Sequence, residues 1–286
     1  MLAELRENDA TGELAVIYAE IRHLWGVPYV SSLQRHLATR PGWLQWTWAG
    51  LGPVFANGQA QRAAWHAAED LAVPWLDPFS RDALRAWGMD AAGEAEVRAA
   101  CASFVRVSPV NLVLSGLLRR LLGGARPAGD GGLPAAATAW SPPAPLGALP
   151  GLVDPAALPA TERALLASLG TTVGGEPFVA GLYRMLASWP AFFAHVATVL
   201  RPRMAHADTR AACQRLLDAV DAEIPAVFAA LPALPAEPPM PPAAEFPAVL
   251  AALDTYRQTS PEMVVFGRMI GEAMPAPLAS PPRFPP

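Results

Sequence analysis

The chain has 286 residues, 52% of them hydrophobic and 16% charged, with a formal net charge of −4. That length supports one large or two medium domains with real cores, and the charge gives no electrostatic reason to bind nucleic acid or an anionic membrane. All 21 basic residues are arginine, which excludes a Schiff-base lysine, a Walker lysine and a Ser–Lys dyad.

The first residues, Met1 to Asp9, are too acidic and polar for a signal peptide. No apolar run looks long enough to span a bilayer: the stretch Val110 to Leu118 is cut by Arg119 and Arg120. A soluble, cytoplasmic protein is expected. Nearly every periodic segment reads as helix. Glu13 to Leu24 carries apolar residues at 14, 17, 21 and 24, with Thr11 placed to cap it. Pro28 and Pro41 suit the first turns of two short helices. Helices over Gln59–Leu71, Glu94–Phe104 and Pro109–Leu122 follow, with Ser108-Pro109 read as a cap and first helical residue.

Residues 125–150 are rich in Gly and Pro and have no helical period, so they form a linker between a first unit, 1–124, and a second, 151–274. In the second unit Pro177 is expected to open a helix, and Asp208–Ile224 is a long amphipathic helix ended or kinked at Pro225. A proline-rich stretch, Leu231 to Pro247, precedes two last helices, and 275–286 is a proline-rich tail. No Val/Ile/Thr-rich alternating run with hairpin turns occurs, so strands are not expected and the fold class is all-α.

The chain repeats itself. Pro28 to Pro41 and Pro177 to Pro190 agree at seven of fourteen positions, including Leu33 with Leu182 and Arg35 with Arg184. A second block, Ser103 to Val113, matches Thr255 to Val265 and pairs Ser108-Pro109 with Ser260-Pro261. Two tandem pseudo-repeats forming an intramolecular pseudo-dimer follow, with a groove between them.

Several segments also resemble a known family. Gly12-Glu-Leu, Ile17-Tyr-Ala-Glu-Ile-Arg22, Val27-Pro-Tyr-Val30, Arg35, Leu37-Ala-Thr39 and Pro41-Gly-Trp-Leu44 with Trp48 are similar to the opening of the group I, non-stereoselective 2-haloacid dehalogenases. Ser103–Leu118, Leu149–Asp154 and Leu186–Pro190 continue the likeness in order, over about 15–270. The resemblance implies an all-α pair of repeats with the active site between them and no cofactor or metal. It also implies an aspartate of the second repeat that activates water for direct attack on the halogen-bearing carbon. An asparagine of the first repeat and an aromatic cluster would complete the pocket.

Laid over the chain without gaps, the aspartate position falls on Leu182 and the serine before it on Gly181. The asparagine position falls on Ser108, and two pocket aromatics on Tyr29 and Ser32. Leucine accepts no proton. Glu176 is a candidate replacement acid, against a solvated acid at a helix start, and Asn111 a candidate amide, against an ordinary buried one. Phe178 joins the pocket as the repeat partner of Tyr29. If the pocket otherwise matches, Leu182→Asp is expected to create weak dehalogenation.

Other constellations are bland. His66 and Glu69, with Asp70 beside them, have metal-ligand spacing but fit a polar outer face, and His36 fits a packing position. Gly174-Gly175 lacks the strand that a phosphate loop needs, and no Gly-x-Ser-x-Gly elbow surrounds Ser31 or Ser32. Cys101 and Cys213 read as small hydrophobes. Trp25, Tyr29, Trp43, Trp46 and Trp48 make a large apolar wall; if two of them line the groove with Phe178 and Tyr183, the ligand is small and apolar or aromatic.

Three functions remain open. The first is a pocket for a small organic acid or apolar ligand, without dehalogenation. The second is a cofactor-independent 2-haloacid hydrolase using Glu176, and the third an interaction protein whose groove is filled by its own side chains. A homo-oligomer stays open; nucleic acid and membrane partners are not expected.

Overall fold

A computed structural model of the chain describes residues 3–129, 140–173 and 176–277; the side chains of Val173 and Glu176 fall outside that set. Its helices are α1 (Gly12–Trp25), α2 (Ser32–Leu37), α3 (Trp43–Ala56), α4 (Gln59–Glu69), α5 (Arg81–Ala86) and α6 (Ala91–Leu122). After the segment at 123–159, which includes a short 3-10 turn at Pro155–Ala157, come α7 (Ala160–Ala167), α8 (Gly181–Leu186), α9 (Pro190–Met204), α10 (Ala207–Ala229) and α11 (Phe246–Ala273). The chain is mostly helical, as its periodicity implied.

Strands are present nonetheless. β1 (Thr171–Val173) and β2 (Glu176–Phe178) pair antiparallel, with Thr172 opposite Pro177. Three residues are too few to show an alternating pattern, and a two-stranded ribbon tolerates a proline that has no N–H to donate. Pro177 therefore opens no helix. Pro28 and Pro41 also lie in bends and turns ahead of α2 and α3, which begin at Ser32 and Trp43. Gly174-Gly175 lies outside the described residues, as do 130–139 of the Gly/Pro-rich segment and 278–286 of the tail.

The larger correction concerns Ser108-Pro109 and Ser260-Pro261. Neither caps a helix; both prolines sit inside continuous helices, α6 and α11. An interior proline costs roughly 3 kcal/mol in lost bonding and ring clash. Burial compensates, since residues 107–118 of α6 are all buried and α6 packs on α11 in the most extensive helix pair of the fold. Pro225 likewise lies within α10, without ending it. By length and composition α6 is apolar enough to cross a membrane, contrary to the expectation from Arg119 and Arg120, but 83% of its apolar window is buried against the rest of the protein.

Helix ends follow local chemistry. The Asp90 carboxylate accepts from the Gly93 N–H at 2.8 Å and caps α6. Gly26, with φ of 59°, ends α1 in the left-handed region and bonds back to the Arg22 and His23 carbonyls. Thr11 stands at the N-cap of α1 as expected, though its hydroxyl accepts no hydrogen bond there. At the end of α4, the Arg268 guanidinium donates to the Leu71 carbonyl at 2.8 Å and to that of Ala68, tying α11 to carbonyls the helix leaves open.

Candidate ligand pocket

A cavity lies where α2, the middle of α6, the β2–α8 junction and the middle of α11 converge. Its empty space is roughly 520 Å³ when the open mouth and the solvent just beyond it are counted. Phe104, Val107, Leu152, Phe178, Met185 and Met263 supply the apolar wall. The polar lining comes from Tyr29, Ser31, Ser32 and Arg35 on one side, Ser108 and Asn111 on α6, and Tyr256, Thr259 and Ser260 on α11.

Long helices place these groups. Phe104, Ser108 and Asn111 recur at spacings of four and three on α6, so they form one stripe, and Tyr256, Ser260 and Met263 do the same on α11. Gly181 and Met185, four apart on α8, face the cavity.

Of the residues singled out from sequence, Tyr29, Ser32, Ser108, Asn111, Phe178 and Gly181 line the cavity together. Leu182 does not. One residue on from Gly181, its side chain is rotated by about 100° around α8 and is wholly buried in the core. Glu176 opens β2 two residues before Phe178, and its side chain lies outside the described residues. Trp25, Trp43, Trp46 and Trp48 are buried core residues, so Tyr29 alone of that aromatic group reaches the cavity. Tyr183 is buried behind α8 and does not line it either.

Sequence reasoning missed Arg35 and Tyr256. Arg35 is more than nine-tenths buried, pairs with Glu4 at 2.6 Å and donates to the Ser32 hydroxyl at 3.2 Å, while its Nε finds no partner. A signal existed: Arg35 with Arg184 and Phe104 with Tyr256 are matched positions of the repeated blocks. Asn111 Oδ1 accepts from Gln34 Nε2 at 2.9 Å, which orients the amide and leaves its NH₂ without a bond to Gln34.

Polar groups at the cavity are short of partners. The hydroxyls of Tyr29, Tyr256 and Ser31 are buried and unpaired, although Tyr29 lies beside Ser31 and Tyr256 beside Ser32. Burial pushes both tyrosines well above their ordinary range, so each stays a neutral O–H donor at any working pH. Leaving such groups unpaired costs about 1–3 kcal/mol each, which a polar guest recovers. No Asp or Glu lines the cavity among the described residues.

The remaining candidates lie elsewhere. His66 Nδ1 and Glu69 stand 3.9 Å apart on an exposed face. His36 is buried against the Ala3 carbonyl at 2.9 Å, and desolvation lowers its pKa, so it is neutral near pH 7. Cys101 and Cys213 are free, and burial pushes both thiols up to about 12, far from thiolate chemistry.

No protein-family model and no curated protein matches the sequence. Solved structures do match over nearly the whole chain. A D-2-haloacid dehalogenase mutant in complex with D-2-CPA aligns with a TM-score of 0.74 at 18% identity, covering 96% of each chain. A D-2-haloacid dehalogenase in complex with L-LA gives the same TM-score, identity and coverage, and a further mutant structure gives a TM-score of 0.73. The chain has the D-2-haloacid dehalogenase fold. At that identity the likeness establishes architecture and leaves the chemistry to the site.

Proposed function

We propose that the cavity binds a small organic acid and does not dehalogenate it. The observation that carries this is the donor-rich end of the cavity. Arg35 Nε–H and the Tyr29, Tyr256 and Ser31 hydroxyls are buried and unpaired, and a carboxylate offers about four acceptor positions. The Phe104, Phe178, Met185 and Met263 side chains then suit a short apolar tail. Direct hydrolysis at a carbon–halogen bond needs a base to deprotonate water. The described lining supplies none, and Leu182 at the ungapped aspartate position points away.

The proposal extends to the group I relationship and to the internal architecture: residues 1–124 and 151–274 as tandem pseudo-repeats, joined by 125–150 and followed by the tail at 275–286. Support comes from α2 and α8, each six residues long and each starting 149 residues apart, at Ser32 and Gly181. The matched Ser108 and Ser260 line the cavity from the two packed long helices. A soluble cytoplasmic setting without metal or cofactor belongs to the same proposal.

The test is a thermal-shift and calorimetric panel with 2-chloropropionate, lactate and propionate, alongside a halide-release assay. Binding of the acids that Arg35→Gln weakens at least tenfold, with halide release at background, is the expected result. Halide release well above background that Glu176→Gln abolishes replaces this function with the hydrolase. No shift with any of the three acids favours the filled-groove interaction protein.

A further inference from the structure

Arg35 already has a carboxylate on it. Residues 3–7 lie as a strap along α2: the Leu5 N–H donates to the Arg35 carbonyl at 3.0 Å, the Ala3 carbonyl meets His36 Nδ1 at 2.9 Å, and Tyr18 Oη donates to the Leu5 carbonyl at 3.2 Å. The strap is anchored again where Glu7 accepts from the Val30 N–H at 2.8 Å and pairs with Arg22 at 2.6 Å. Between these anchors Glu4 reaches Arg35 Nη2 at 2.6 Å. Glu4 is not among the cavity-lining residues, so it meets the guanidinium from outside while Nε stays free and buried. Arg184, half-buried at the matched position of α8, feels the charges of both Glu4 and Arg35.

We propose that Glu4 is the resident counter-ion of the pocket and that it sets how tightly a carboxylate binds there. The inference rests on the acid-binding function above. A ligand carboxylate approaching Nε shares the guanidinium with Glu4, and the strap loosens as the ion pair weakens. Glu4 is thus a positioning residue with two opposed effects. It holds the guanidinium still, worth about tenfold in affinity for one immobilised long side chain. It also repels a second carboxylate about 6 Å away, which at an effective dielectric near 20 costs about a hundredfold. Repulsion wins. Removing the charge therefore tightens anion binding by about tenfold.

Calorimetry on the full chain, with propionate and its amide propionamide as probes, tests this. In Glu4→Gln propionate binds about tenfold tighter than in the unaltered protein, while uncharged propionamide, which loses the positioning and feels no repulsion, binds about tenfold weaker, and Glu4→Asp restores both original affinities. If the unaltered protein binds propionate and Glu4→Gln binds it equally or more weakly, the counter-ion proposal is overturned and the acid-binding function stands. If neither binds propionate, both fall. Should Glu4→Gln fail to fold, hydrogen exchange on the unaltered protein decides: saturating propionate accelerates exchange of the Leu5 amide, and slowed or unchanged exchange refutes the proposal.

Discussion

Glu262 offers the cleanest check on the packing behind α8. Its carboxyl sits on α11 toward Cys213 of α10 and Tyr183 of α8, and desolvation raises its pKa from an ordinary 4.5 to about 7. No ion pair holds it among the described residues. The folded pKa lies above the unfolded one, so between about 4.5 and 7 the folded chain keeps a proton that the unfolded chain has lost. The stability lent by the neutral carboxyl is whole below 4.5 and disappears as pH rises through 7. The difference in ionisation is worth about 3 kcal/mol at most, and residual solvent contact lowers it toward 2. Glu262→Gln keeps the shape of the protonated acid and never ionises. The variant should match the unaltered protein in urea unfolding at pH 4.5 and exceed it by roughly 2–3 kcal/mol at pH 8.5. An equal gap at both pH values would mean that Glu262 is solvated and the packing around it misread.

Leu182→Asp should bring no halide release and should destabilise the protein by about 3 kcal/mol or more, because the new carboxylate is buried without a partner; any measurable release would return Leu182 to the site. Asn111→Leu should cost about 1–3 kcal/mol in denaturant unfolding, since it strips Gln34 Nε2 of its buried acceptor, and a neutral result would separate the pair. At Gly26 the left-handed φ penalises any Cβ, which would also sit 2.7 Å from the Pro143 carbonyl oxygen. Gly26→Ala should therefore lower stability by about 2–3 kcal/mol, and calorimetric melting reads the loss.

The residues named from sequence that line the cavity share one property: their neighbours in the matched blocks or along a helix already implied their surroundings. Ser108 and Asn111 lie three apart on a helix, so one inward-facing residue brings the other with it. Arg35 escaped notice because its partner is Glu4, across a strap with no periodicity, and its burial depends on α11 arriving from the far end of the chain. Pro177 departs from its expected place for the opposite reason. Its match to Pro28 suggests a helix start, yet both prolines precede their helices by four residues, and Pro177 pairs with Thr172, a residue that lies before the matched block.

By itself, then, the amino-acid order determined the helical class, the two matched blocks and six of the residues that line the cavity, because helical periodicity and sequence matches are local patterns written at fixed spacings. Only the tertiary structure decided that Pro109 and Pro261 run inside long helices, since burial of α6 against α11 outweighs a local cost of a few kcal/mol. It alone turned Leu182 into the core and Gly181 toward the cavity, a difference of one residue that the packing of α8 settles. And it alone put a buried, counter-ioned arginine in that cavity. Which carboxylate meets which guanidinium is fixed by long-range packing, and no spacing along the chain encodes it.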